Sequence, residues 1–143
     1  MKQLCITLLM FSAFQTTYAQ VNDCTVQITG LKSNSGKCIV YIYKDKKGFP
    51  TEPKYAVATT TALIKDSKAL TVFKGISSGE YAISVVHDEN DNGKLDTNFL
   101  GIPKEGIGTS NNAKGTLGPP SYEDSRFAIG NKTNSISITI KYL

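Results

Sequence analysis

The stretch "HDENDNGKLDTN", His87 to Asn98, carries four acids and three asparagines around one glycine. It follows the apolar run "YAISVVHD". With Asp88 as the first position, Asn90 is third, Asn92 fifth, Gly93 sixth, Lys94 seventh and Asp96 ninth. That is the first half of the calcium loop D-x-[DN]-x-[DN]-G. A hard cation takes about six to eight oxygens at roughly 2.3–2.6 Å. The side chains of Asp88, Asn90, Asn92 and Asp96 with the backbone carbonyl of Lys94 would supply most of them, if Gly93 lets the chain turn sharply. Position twelve is Phe99 instead of a bidentate Glu, and no helices flank the loop, so this is not an EF-hand. A further oxygen would have to come from Glu105 first, then Glu89 or Asp91. Only Asp88 and Asp96 would bring charge, which implies weak Ca2+ binding, about 10⁻⁴–10⁻³ M. The competing account is an Asn-Gly turn capped by its own Asx side chains, which needs no ion. Both accounts stay open on sequence alone.

His87 is the single histidine. Beside Asp88 it could be a catalytic or metal-binding imidazole, but one histidine cannot make a two-histidine metal centre. The favoured reading is a strand-end histidine hydrogen-bonded to the loop. Ser110 in "GIGTSNN" lacks the G-x-S-x-G setting of a nucleophile elbow and reads as a turn serine. With His87, Glu105, Asn111 and Asn112 it forms the candidate binding surface of the loop. "NKT" at 131–133 fits a glycosylation triplet.

The elements that must position these groups follow from the rest of the 143 residues, a length that suits one domain. "MKQLCITLLMFSAFQTTYAQ" has one Lys, an apolar run from Leu4 to Phe14 and a small-residue site at Ala19, the pattern of a secretory signal peptide over 1–19. Its apolar run is about half a membrane span, and no later stretch could span one. The expected mature domain is 20–143, with a secreted or periplasmic location. Removing Lys2 leaves 15 basic against 12 acidic residues, a net +3. No Lys/Arg cluster alternates with aromatics, so there is no nucleic-acid footprint.

Cys24 and Cys38 follow the leader, and an oxidising compartment would permit a disulfide. "CTVQITG" and "KCIVYIYKD" look like a hairpin closed by "KSNSG". In that register the two cysteines stand roughly 13–17 Å apart, against the limit of about 7 Å between bridged Cα atoms. They are expected as small core hydrophobes.

The domain reads as β throughout. Val26 and Ile28 share a face of the first strand. "KCIVYIYKD" is a continuous apolar run, as for a central strand covered on both sides. "TTALIKDS" and "ALTVFKGI" form a hairpin around Asp66-Ser67. Tyr81, Ile83 and Val85 share a face, and so do Ile136, Ile138, Ile140 and Tyr142. About seven short strands split by turn residues predict an all-β, seven-stranded antiparallel β-sandwich of immunoglobulin or prealbumin type. The segment 88–125 has almost no strand signal and exceeds the usual loop length of about 12–15 residues. Leu95, Phe99, Leu100, Ile102, Ile107, Leu117 and Tyr122 give it apolar residues to pack with, so it is expected to be ordered and to carry function.

The blocks "GEYAISVVHDENDNGKLDTN", "GIPKEG", "SNN" and "PPSYED", in this order, resemble the secreted bacterial family called domain of unknown function 2141. The likeness covers nearly all of 20–143 and centres on 79–129. It implies a small exported β-sandwich with no assigned activity, and one shaped loop containing His87, Asp88, Asn90, Asn92, Gly93, Asp96, Gly101, Pro103, Glu105, Gly108, Ser110, Asn111 and Asn112. Three functions follow as expectations. The first is a non-enzymatic binding module for a glycan, peptide or envelope protein. The second is a structural accessory domain of an envelope assembly. The third is a hydrolase using His87, Asp88, Glu105 or Ser110.

Overall fold

Side chains that alternate in polarity make strands here because one face of each can leave water while the other stays in it. The structure, a computed structural model, describes residues 20–130 and 134–143. The leader expected at 1–19 and the triplet at 131–133 lie outside the described residues. The strands are β1 (Val21–Thr29), β2 (Lys37–Tyr43), β3 (Ala58–Lys65), β4 (Lys68–Ser77), β5 (Gly79–Asp88), β6 (Gly106–Thr109), β7 (Phe127–Ile129) and β8 (Asn134–Thr139). One short helix, α1 (Tyr122–Ser125), precedes β7.

The strands form one mixed sheet in the order β6-β5-β2-β3-β4-β1-β8, with β7 paired to the start of β5. The all-β expectation holds. The strand count does not: eight strands replace seven. Nor is the sheet purely antiparallel, because β1 and β8 run parallel from Cys24↔Asn134 to Thr29↔Thr139. The extra strand is β6, "GIGT", inside the segment expected to be loop. Its glycines carry no strand propensity; pairing from Ser84↔Thr109 to His87↔Gly106 makes it a strand.

The expected β1–β2 hairpin is also absent. β1 pairs with β4 and β8, and β2 pairs with β3 and β5. Residues 30–36 cross from one set of strands to the other. A Cβ at Gly36 would stand 1.8 Å from the Asp88 carbonyl oxygen, so only glycine lets the crossing chain touch the end of β5. The two thiols are free as expected, although not for the hairpin reason. Both point into the main core, and burial alone pushes Cys24 up to about 11 and Cys38 up to about 12. Nearly all of each thiol is therefore protonated at neutral pH and unreactive. The β3–β4 hairpin is as expected, with Asp66 and Ser67 both at positive φ (52° and 57°), the geometry of a type I′ turn.

The strand β2 is central and buried almost throughout. One face, Cys38, Val40 and Ile42, joins Val26, Ile28, Tyr81, Ile83, Val85, Ile138 and Ile140 in the main core. The other, Ile39, Tyr41 and Tyr43, joins Val86, Phe49, Leu95 and Tyr122 in a second cluster. Phe49 lies edge-on between Tyr43 and Tyr122, with ring centroids 5.4 and 5.9 Å away.

The sheet nearly closes into a barrel. Ile107 N–H donates to the Lys141 carbonyl (2.9 Å), and Lys141 N–H donates to the Ile107 carbonyl (2.8 Å), joining β6 to the chain just after β8. Glycine makes this approach feasible. A Cβ at Gly106 would stand 2.5 Å from Ile140 Cγ2, and one at Gly108 2.7 Å from Ile138 Cγ2. Overpacking of this kind costs about 1–3 kcal/mol. Gly106→Ala and Gly108→Ala should each lower chemical-denaturation stability by about that amount. Gly118→Ala, whose Cβ would meet nothing within 4 Å, should stay within about 0.5 kcal/mol of wild type. Equal stabilities for all three variants would show that β6 is not sterically locked to β8.

Candidate functional site

The end of β5 delivers two buried polar side chains, His87 and Asp88, to the start of the long loop. The chain must turn there, and a turn leaves backbone N–H groups without ladder partners. Asp88 takes two of them: Oδ1 accepts from Asn92 N–H (3.0 Å) and Oδ2 from Gly93 N–H (2.8 Å). Gly93 provides the sharp bend at φ +81°. Glu105, buried just before β6, takes two more. Its Oε1 accepts from Glu89 N–H and its Oε2 from Asp96 N–H, both at 3.0 Å. Sequence reasoning brings Glu105 to this loop, and the structure places it there.

The asparagines complete the turn. Asn90 and Asn92 donate Nδ2–H to Asp96 Oδ2 at 2.7 and 2.9 Å. Their Oδ1 atoms accept from Asn92 N–H and Lys94 N–H. These amide donors hold the Asp96 carboxyl below its ordinary range, Asn90 more than Asn92. Lys37 on β2 closes the outer side. Its Nζ bonds the Asp91 carboxylate and stands 3.8 Å from Asp88 Oδ2. The Asp91 bond raises the Lys37 ammonium above its usual range.

This donor set does not match a resident Ca2+ as arranged. The Asn90 and Asn92 oxygens face backbone N–H groups, and their nitrogens face Asp96. Among the described residues no three His, Cys, Asp or Glu side chains converge as a metal centre. Phe99, at the twelfth position, points into solvent. In this arrangement the stretch completes its own hydrogen bonding as a capped turn.

His87 is fully buried. Its Nε2 is 2.8 Å from the Ser35 carbonyl, which can only accept, so Nε2 carries the proton. Nδ1 then accepts from the Tyr142 hydroxyl at 2.6 Å. That hydroxyl also accepts from Lys32 N–H (3.1 Å), and burial raises the phenol above its usual range. The ring sits at the strand end, but its hydrogen bonds go to residues 30–36 and to Tyr142 instead of the long loop expected from sequence, so it ties β5 to both of those segments.

The "SNN" block acts as a set of staples. Ser110 is buried; its Oγ accepts from Ile83 N–H (2.9 Å) and donates to the Ser125 carbonyl. Asn111 donates to the Asp124 and Arg126 carbonyls (3.2 and 2.9 Å). Asn112 Oδ1 accepts from Thr139 N–H (2.8 Å). Asn111 and Asn112 adopt left-handed φ of 59° and 49°, which asparagine tolerates better than most residues. Each of the three side chains is spent on backbone, binding the loop to β5, α1 and β8.

What the loop encloses is a groove of about 760 Å³ against the outer face of β5 and β6. Its walls include Val86, Leu95, Ile102, Ile107, Ala113 and Pro119, with Asn112 at one side. The charged side chains in the wall are Lys114 and Lys141. His87, Asp88, Glu105 and Ser110 do not line it. Sequence reasoning missed most of this wall. The available signal was alternation: Thr139 and Lys141 lie opposite Ile138 and Ile140, and Ser84 and Val86 opposite Ile83 and Val85, so these four face one outer side.

Two measurements follow. Asp88→Ala leaves Gly93 N–H without its acceptor and Asn92 N–H with Asn90 Oδ1 alone, and should cost about 1–3 kcal/mol of stability. The wild-type unfolding midpoint of residues 20–143 should be the same in EDTA and in millimolar calcium; a saturable rise abolished by Asp88→Ala would make the turn an ion site. A carboxyl whose folded pKa is depressed stabilises above its unfolded pKa and loses that contribution as pH falls through the folded value. The stability gap between wild type and Asp96→Asn should therefore be widest at neutral pH and shrink below about pH 4. A gap independent of pH would show that the Asn90 and Asn92 amides do not favour the charged form of Asp96.

No curated protein and no solved structure matches the chain. Residues 26–137 match the family model described as "Uncharacterized protein conserved in bacteria (DUF2141)", a span running from β1 into β8. The capped turn and all of the groove wall except Thr139, Lys141 and Leu143 lie within that span, and the chain belongs to this bacterial family.

Proposed function

We propose that this chain is an exported, non-catalytic binding module whose long loop encloses a groove for an elongated, largely apolar ligand. The observation that carries this reading is the groove itself. Its volume, about 760 Å³, falls in the usual range of roughly 300–1,000 Å³ for small-molecule sites. Its wall is built of aliphatic side chains, prolines, threonines and glycine backbone, with Lys114 and Lys141 as fixed positive charges. No aromatic side chain lines it, so it lacks the stacking platform a sugar ring would use. An amphiphile with an anionic head and an apolar body fits better than a glycan.

Catalysis finds little support. The candidate acid–base and nucleophilic groups are bonded to backbone or to Tyr142 and stand outside the groove wall. Export rests on the leader-like residues 1–19. The sandwich reading of the scaffold, immunoglobulin- or prealbumin-like, belongs to the proposal too. Its support is the β3–β4 ladder, which consists of Ile64↔Ala69 and Lys65↔Lys68. So short a join is what supports reading β1, β4 and β8 as one layer and β2, β3, β5 and β6 as the other.

The test uses the anionic dye 1-anilinonaphthalene-8-sulfonate with residues 20–143 at neutral pH. Saturable one-to-one fluorescence enhancement is expected, with competition by dodecanoate. Ala113→Phe, which places a ring in the groove, should abolish it, and Lys141→Gln should weaken it several-fold. No saturable binding, or binding unchanged in Ala113→Phe, would sink the proposal.

A further inference from the structure

Two turns of the long loop rim the groove and carry their largest apolar side chains outward. The first spans 97–103 and is closed by the bridge Thr97↔Pro103. Phe99 at its tip is 94% exposed and Leu100 68%. The second contains Gly115 and Gly118, packed so closely that a Cβ at Gly115 would lie 1.7 Å from the Gly118 carbonyl oxygen. Leu117, between them, is fully exposed. Gly101, Ile102 and Pro103 from one turn and Gly115, Gly118 and Pro119 from the other line the same groove. The three side chains therefore sit on two turns that line one groove.

Single exposed apolar residues are ordinary. Three on two turns lining one groove are not. The first turn also bonds four of its N–H groups, those of Asn98, Leu100, Gly101 and Ile102, within itself. Asn98 Oδ1 accepts from Leu100 and Ile102 N–H (2.9 and 3.0 Å), Gly101 N–H donates to the Asn98 carbonyl, and Asn98 N–H to the Ile102 carbonyl. A segment whose N–H groups are bonded within itself can enter an apolar medium without stranding them. Charge points to the same medium. Within 97–120 the charged residues are Lys104, Glu105 and Lys114. Both lysines are exposed, while Glu105 is buried with its two oxygens on Glu89 and Asp96 N–H groups. The rim thus offers apolar tips beside two exposed lysines, of which Lys104 also lies in the field of the Asp96 carboxylate.

The geometry points to docking of this rim on an anionic lipid bilayer, with Phe99, Leu100 and Leu117 in the headgroup–acyl boundary and Lys104 and Lys114 against anionic headgroups. A protein partner of standard size would bury about 800 Å² of continuous surface on this side. The tips instead stand out singly from two turns, a shape that a fluid boundary accommodates. Lysines near such a surface add attraction that salt screens. This docking stands on the rim alone and does not depend on what fills the groove.

Vesicle flotation tests it with residues 20–143. Wild type should float with vesicles of phosphatidylethanolamine and phosphatidylglycerol and much less with phosphatidylcholine alone. The triple variant Phe99→Ser/Leu100→Ser/Leu117→Ser should lose at least tenfold in partitioning while keeping its unfolding midpoint, since these side chains pack on nothing. Lys104→Gln/Lys114→Gln should lose affinity for the anionic vesicles and most of the salt dependence. Wild type that stays with the pellet fraction on anionic vesicles, or a triple variant that floats like wild type, overturns the inference. Binding by wild type that ignores lipid charge overturns the role of the lysines.

Discussion

Two buried carboxylates hold the long loop of this molecule in shape. Asp88 and Glu105 each accept two backbone N–H groups, and the four donors belong to Glu89, Asn92, Gly93 and Asp96. Without those acceptors the chain leaving β5 would turn with partly buried donors lacking these partners, and a donor left unsatisfied when buried costs about 1–3 kcal/mol. With them, the residues after Asp88 follow a defined path to Leu95, whose side chain joins the second apolar cluster. The acids that look like ligands in the sequence are the framework of the loop.

A second constraint sets the other wall. The barrel closes only where β6 has no side chains toward Ile138 and Ile140, hence Gly106 and Gly108. That closure places Ile107 and Lys141 side by side, both facing the groove. Ser110, Asn111 and Asn112 then fix the next bend to β5, α1 and β8 in three consecutive residues. The groove is bounded by a turn capped with carboxylates on one side and a bend stapled by amides on the other. Its polar work is done behind the walls, which leaves the walls apolar.

Much of the scaffold was legible in the sequence. The faces of β1, β5 and β8 and the fully apolar β2 came straight from alternation, and the Asp66-Ser67 hairpin from its turn residues. Tertiary pairing was not legible. The β1–β2 hairpin was read from sequence proximity, but the crossing at Gly36 sends the two strands to different neighbours. The strand β6 was invisible because steric room, not propensity, chose its glycines. For the loop, the spacing of Asp88, Asn90, Asn92 and Asp96 identified a cluster whose amide orientation no sequence encodes. Leu95 and Tyr122 packed as expected of a loop with its own apolar residues, whereas Phe99, Leu100 and Leu117 did not. Composition cannot distinguish an apolar residue that folds inward from one that faces out.

The parallel pairing of β1 with β8 has a consequence for the order in which the chain can assemble. Cys24 meets Asn134 and Thr29 meets Thr139, so the first strand waits on the last for one of its two neighbours. Contacts this distant in sequence carry the largest loop-closure entropy and place the fold among slow, high-contact-order topologies. A chain emerging N-terminus first has β2 to β5 available early, since they pair with near neighbours. The main core lacks Ile138 and Ile140 until the final residues are free. Until β8 is available, β1 has β4 alone beside it.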